Sequence, residues 1–126
     1  MNTLTHAKPV IVVCARDLGG AVRFYRDMLE LTLVREDAFG ALFDLAGTPM
    51  RVSLVADFVA HGHTVLGFKV DDVAATVDAL AAKGVAFLRL PNFPHDARGV
   101  LALPGGAGHV AWMSDPDGNL ISVTDS

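Results

Sequence analysis

Few side chains in this sequence are equipped for chemistry. His61 and His63, in "HGH", have the spacing that grips zinc when both rings leave one face of a strand. No third His or carboxylate stands where it would complete a coordination shell, so the pair is expected in a solvated loop ahead of a strand. His95 and Asp96, in "PHDARG", are the neighbours that would orient a general base, but Pro94 and Gly99 around them spell an ordinary turn. Cys14, the single cysteine, has no base beside it and is expected as buried filler; it excludes an internal disulfide and a cysteine-cluster zinc site. "PGGAG" at Pro104 to Gly108 has the glycines of a phosphate loop, yet no helix follows to supply an N-terminal dipole. His6 and His109 stand alone and are expected at the surface.

The elements that must carry these residues follow one order twice. The strand-like run "VIVVCA" leads to Asp17, a helix N-cap, and a helix with Leu18, Ala21, Val22, Tyr25, Met28 and Leu29 on its apolar face. Then come "LTLVRED", "GALFDLA" and "MRVSLVA", β-rich runs broken by turn residues. "TVLGFKV", Asp72 and a helix bearing Val73, Ala74, Val77, Leu80 and Ala81 restart the series, with strands expected at "VAFLRL", "GVLALP", "HVAWMS" and "NLISVT". Sliding the first half along the chain sets Val10 on Val65, Val13 on Phe68, Asp17 on Asp72 and Val22 on Val77, the mark of an internal duplication. The expectation is an α+β chain of two tandem βαβββ modules, about 8–57 and about 63–126, forming a partly open barrel-like cleft within a single domain, 1–126. Side chains alternate along a strand, which turns Val10, Val12 and Cys14 toward the cavity, with Val65, Gly67 and Lys69 as their counterparts. Arg51 shares that side with Ser53 and can meet a ligand carboxylate or carbonyl; Lys69 is expected as a rim charge.

Composition narrows the partners. At 126 residues the chain can bury a real core, and its net charge of -4 without a basic run argues against nucleic acid. No apolar run approaches the roughly 18 residues of a membrane span. "MNTLTHAKPV" has neither a basic start nor an apolar stretch, so no signal peptide is expected and the cytoplasm is the default location. A small organic ligand, neutral or cationic, fits this balance.

The stretches "ARDLGGAVRFYRDMLEL", "VDDVAATVDALAAKGVAF" and "DPDGNLISV", in that order and spacing, resemble the vicinal oxygen chelate superfamily, which includes glyoxalase I, extradiol dioxygenases and bleomycin-resistance proteins. The resemblance spans nearly the whole chain and implies the paired-module fold. In metal-dependent members, a His or Gln on the first strand of a module and a Glu on its last hold a cation that two substrate oxygens chelate. Carried over, those positions fall on Val10 and Val65, and on Ser53 and Ser122. Valine offers no donor, and a neutral hydroxyl is a poor stand-in for carboxylate or imidazole.

The sequence therefore predicts no metal, no cofactor and a small-molecule binder that works without turnover. Its ligand would lie in the inter-module cleft, between walls from Val10, Val12, Val65 and Phe43. Trp112, at a position whose family counterpart often points into the cavity, would stack on a flat ligand; Phe43 is taken as its match in the first repeat. Ser53, Ser122 and Arg51 would supply hydrogen bonds. The alternative is an enzyme, either a lyase or isomerase without a metal or a glyoxalase- or dioxygenase-like protein with its metal ligands displaced to His61 and His63; a third reading is a partner-binding domain whose cleft its own side chains fill. A homodimer that covers exposed sheet edges is expected as well.

Overall fold

Asp17 and Asp72 begin the two helices in the same way. Each has an extended backbone, and each carboxylate accepts a bond from the backbone N–H three residues on, at Gly20 (3.2 Å) and Ala75 (3.0 Å). This satisfies donors that the first turn leaves over. The computed structural model describes residues 3–126. Two compact units are present, the first ending at Phe58 and the second Val59–Ser126.

In the first unit, β1 (Ile11–Ala15) leads into α1 (Leu18–Val22), then β2 (Thr32–Asp37), β3 (Gly40–Leu45) and β4 (Thr48–Leu54). The sheet order is β1-β4-β3-β2, with β1 parallel to β4 and the other pairs antiparallel. Strand alternation puts Val13, Ala15, Ala41, Phe43, Met50 and Val52 under the helix, all buried. At Gly40 no side chain would fit: a Cβ would lie 1.9 Å from the Val52 carbonyl oxygen.

The expected single helix from Leu18 to Leu29 is instead a short α-helix that widens into a π-helical turn, Arg23–Met28. The Leu29 N–H reaches back five residues to the Phe24 carbonyl at 3.0 Å. The extra residue in the turn rotates both Phe24 and Tyr25 inward, with their rings edge to face at 5.1 Å. Met28 and Leu29, at the end of the turn, are half-buried.

The second unit repeats the pattern with β5 (Thr64–Lys69), α2 (Val73–Ala82), β6 (Leu101–Ala102), β7 (His109–Ser114) and β8 (Leu120–Thr124). Its sheet order is β5-β8-β7-β6, and β5 runs parallel to β8. Val73 and Val77 of α2 are buried, as are Ala111, Met113, Ile121 and Val123 of the sheet. Lys83 and Gly84 end α2, the Val85 N–H bonding back to the Leu80 carbonyl. "VAFLRL" does not form the strand expected of it. It contributes one bridge, Phe87 to Met113, and then leaves for a loop whose backbone bonds to itself. Pro91 and Pro94 withhold two of the N–H groups that a ladder would need.

The chain is thus α+β, built from two four-stranded sheets with a helix for each. Among the described residues no helix is long and apolar enough to cross a membrane.

Candidate functional site

The faces of the two sheets turned away from their helices carry nearly all of the candidate residues. In the first unit, Val12 pairs with Arg51 and Cys14 with Ser53, so these four share a face with Val10, just ahead of β1. Val10 and Val12 are 54% and 58% exposed, a large amount for valines and enough to form an apolar surface in water. Cys14 is half-buried, less enclosed than expected.

Arg51 is not a spare cation. Its two terminal nitrogens donate to both oxygens of Asp37, at 2.7 and 2.8 Å, in the forked geometry that guanidinium and carboxylate share. The Arg51 side chain holds the Asp37 carboxyl well below the usual carboxylate range, helped by the Phe39 N–H. A group depressed in the folded chain adds stability that is complete above its unfolded value and lost as pH falls. The urea midpoint should therefore fall on acidification below about pH 4, the range of an unfolded aspartate. Asp37→Asn should flatten that part of the curve; equal slopes for the two proteins would show that the pair stabilises nothing.

In the second unit, Trp112 lies opposite Ser122 across β7 and β8, and Ser122 lies opposite Gly67 across β8 and β5. The row steps down from an indole to a hydroxyl to bare backbone. A Cβ at Gly67 would come within 2.9 Å of the Ser122 hydroxyl oxygen, which would have to turn aside. Val65 sits beside this row at a register shift, 39% exposed, and Lys69 is exposed at the end of β5.

Phe43 does not belong with these residues. It is fully buried beneath the first helix, 5.9 Å from the Tyr25 ring, so its expected place on the ligand wall is corrected. The cause is one step of register. Trp112 faces Ser122, which faces Gly67; the equivalent row in the first unit is Leu42, Arg51 and Val12. Leu42, half-buried, is the counterpart of Trp112, and its neighbour Phe43 points the other way. The same row makes Arg51, rather than Ser53, the counterpart of Ser122.

His61 and His63 precede β5 in an exposed turn, and Gly62 between them has a φ of +72°. That backbone is not extended, so the two rings do not leave one strand face. The residues do not fit a metal of the resembled kind: Val10, Val65, Ser53 and Ser122 offer no imidazole or carboxylate, and among the described residues no three His, Cys, Asp or Glu cluster as ligands. His95 does not pair with Asp96. Its ring nitrogens engage Leu90 and Gly99, while Asp96 accepts from the N–H groups of Arg98 and Val100. His109 is tied instead to Asp125 at 2.8 Å, which lowers the Asp125 carboxyl's affinity for a proton.

Two βαβββ units, each with a helix on one face of its sheet, define a glyoxalase-type fold. The chain belongs to the Glyoxalase/Bleomycin resistance protein/Dioxygenase superfamily, whose family model matches residues 6–123. A protein of Vibrio cholerae named "Probable lactoylglutathione lyase" is 29% identical over 123 residues, covering 85% of this chain and 81% of that protein. "Uncharacterized protein YraH" of Bacillus subtilis is 32% identical over 128 residues, covering 90% of this chain and 93% of its own. Among solved structures, a glyoxalase/bleomycin resistance protein/dioxygenase from Alicyclobacillus acidocaldarius superposes with a TM-score of 0.72 at 20% identity, covering 94% of this chain and 90% of that one.

Proposed function

We propose that this chain is a metal-independent small-molecule-binding protein of the glyoxalase/bleomycin-resistance type, which holds its ligand without turning it over. One observation carries the reading: at the positions to which the family resemblance carries metal ligands, the chain has Val10, Val65, Ser122 and Ser53 or, by register, Arg51, none of which offers an imidazole or a carboxylate. The sheet faces suggest how binding works. Val10, Val12 and Val65 offer apolar surface, Trp112 a plane for stacking, and Ser53 and Ser122 hydroxyls that donate or accept. Arg51, its charge compensated by Asp37, keeps N–H groups for a carbonyl without calling for an anion. A neutral, flat organic molecule suits this set. We further propose a cytoplasmic homodimer; light scattering that gives a monomer's mass would remove the dimer.

The test is a thermal-shift screen against aromatic antibiotics, α-ketoaldehydes and coenzyme A thioesters, because a ligand that prefers the native state raises its melting temperature. Trp112→Ala should weaken any hit by about tenfold or more, as loss of a buried aromatic anchor does. An unchanged shift would remove Trp112 from the site. A second reading, a lyase or isomerase, is favoured by the name of the Vibrio cholerae relative. Elemental analysis of untagged protein separates the two: near one equivalent of tightly held divalent metal would overturn metal independence.

A further inference from the structure

The segment between the Phe87 bridge and β6, residues 88–100, is a loop bound into itself. Arg89 donates to the Ala97 carbonyl at 2.9 Å, Asp96 caps the N–H groups of Arg98 and Val100, and Arg98 reaches Asp78 on α2 at 2.8 Å. At its middle His95 joins the way in to the way out. Nε2 accepts from the Leu90 N–H at 2.9 Å, and Nδ1 lies 2.8 Å from the Gly99 carbonyl. A carbonyl only accepts and a backbone N–H only donates. One form of the ring satisfies both, the neutral tautomer with its proton on Nδ1. The same ring meets Trp112 edge-on, 6.2 Å between centroids at 70°. The main chain adds a second tie, Leu88 N–H to the Trp112 carbonyl at 2.8 Å.

We propose that His95 is a positioning residue for Trp112: its neutral ring clasps the 88–100 loop and fixes the indole's attitude on the ligand-facing side of the sheet. The proposal rests on Trp112 as the stacking residue of the function inferred above. A second proton, on Nε2, would set a donor against the Leu90 N–H and open the clasp. The charged side chains of the loop and of β7 hydrogen-bond to partners other than the ring. Arg89 and Asp96 serve the loop backbone, Arg98 pairs with Asp78 on α2, and His109 of β7 pairs with Asp125. The attitude of Trp112 therefore depends on the neutral His95 ring keeping both bonds.

Trp112 is the single tryptophan, so its emission reports the clasp directly and needs no ligand. Emission and acrylamide quenching are followed from about pH 8 to about pH 5, the span in which imidazole charges. The wild type should show a step in emission on acidification. His95→Gln, whose amide also offers one donor and one acceptor, should keep the neutral-pH spectrum and lose the step. In His109→Gln the step should remain. His95→Ala should shift emission to the red at neutral pH and raise quenching by about twofold or more, as an opened segment does. An acid step that survives in His95→Gln overturns the proposal, as does a His95→Ala protein with wild-type emission and quenching. If His95→Ala fails to fold, the Gln variant decides alone. Quenching of Trp112 by Nile red, a neutral planar dye, tests the ligand face separately. Dye that leaves Trp112 untouched while the His95 effects hold would defeat the stacking role and spare the clasp.

Discussion

Phe43→Ala is expected to cost the fold about 3–5 kcal/mol, the usual loss when a buried aromatic is cut back to a methyl group. Phe43 has no exposed surface, faces Met50 across the sheet and presses on Tyr25. Few neighbours are free to move into the space it would leave, because Tyr25, Met50 and Val52 are themselves completely enclosed. Against a total of about 5–15 kcal/mol for an ordinary domain, such a loss is a large share, so urea unfolding of the variant should begin at much lower denaturant. Phe43→Leu, which fills most of the space, should fold and lose less, and it carries the test if the alanine variant does not fold. Affinity of the folded protein for a ligand should be unchanged in both, since Phe43 lies on the opposite side of the sheet from Val12 and Arg51. A variant that binds less tightly while keeping full stability would return Phe43 to the ligand wall.

Asp115→Ala should be comparably severe although it removes a polar group. Asp115 is 5% exposed, and its carboxylate accepts from the N–H groups of Asp117 and Asn119 at 2.9 Å each and from the Asn119 side-chain amide at 2.8 Å. Alanine would strand those donors in a buried turn, at about 1–3 kcal/mol each. The expected loss is about 3 kcal/mol or more, read from the urea midpoint. The turn also sets the register of β7 on β8, and with it the meeting of Trp112 and Ser122. Trp112 emission should therefore change with Asp115→Ala even where the chain remains folded. Wild-type stability would mean that the turn holds its shape through its backbone alone.

Patterns that act locally were legible in the sequence. Asp17 and Asp72 mark helix starts because a carboxylate three residues ahead of a free N–H is recognisable by type and spacing. The alternation that turned Val12 and Arg51 one way and Val13 and Val52 the other could likewise be read from period alone. Features set by distant partners were hidden. Nothing in "RFYRDM" announces a π turn; it follows from burying Phe24 and Tyr25 together, against a sheet made later in the chain. Matching Phe43 to Trp112 failed because both are aromatic, whereas pairing is decided by register, and a slip of one residue reverses the face. His95 read as a turn residue because its partners, Leu90, Gly99 and Trp112, converge only when the loop folds back. A clue was present in the two prolines flanking Asn92 and Phe93, which spoil a strand and leave the loop in need of some other fastening.

The descent from Trp112 through Ser122 to Gly67 gives the second sheet a sloping floor. A rigid plate resting on the indole would overhang the low end, losing touch with the glycine backbone. A molecule thicker at one end than the other would lie along the whole ramp. Under the proposed binding function, outline as much as polarity would decide which guest is retained, and two compounds with the same ring and the same hydrogen-bonding groups would be told apart by where their bulk sits.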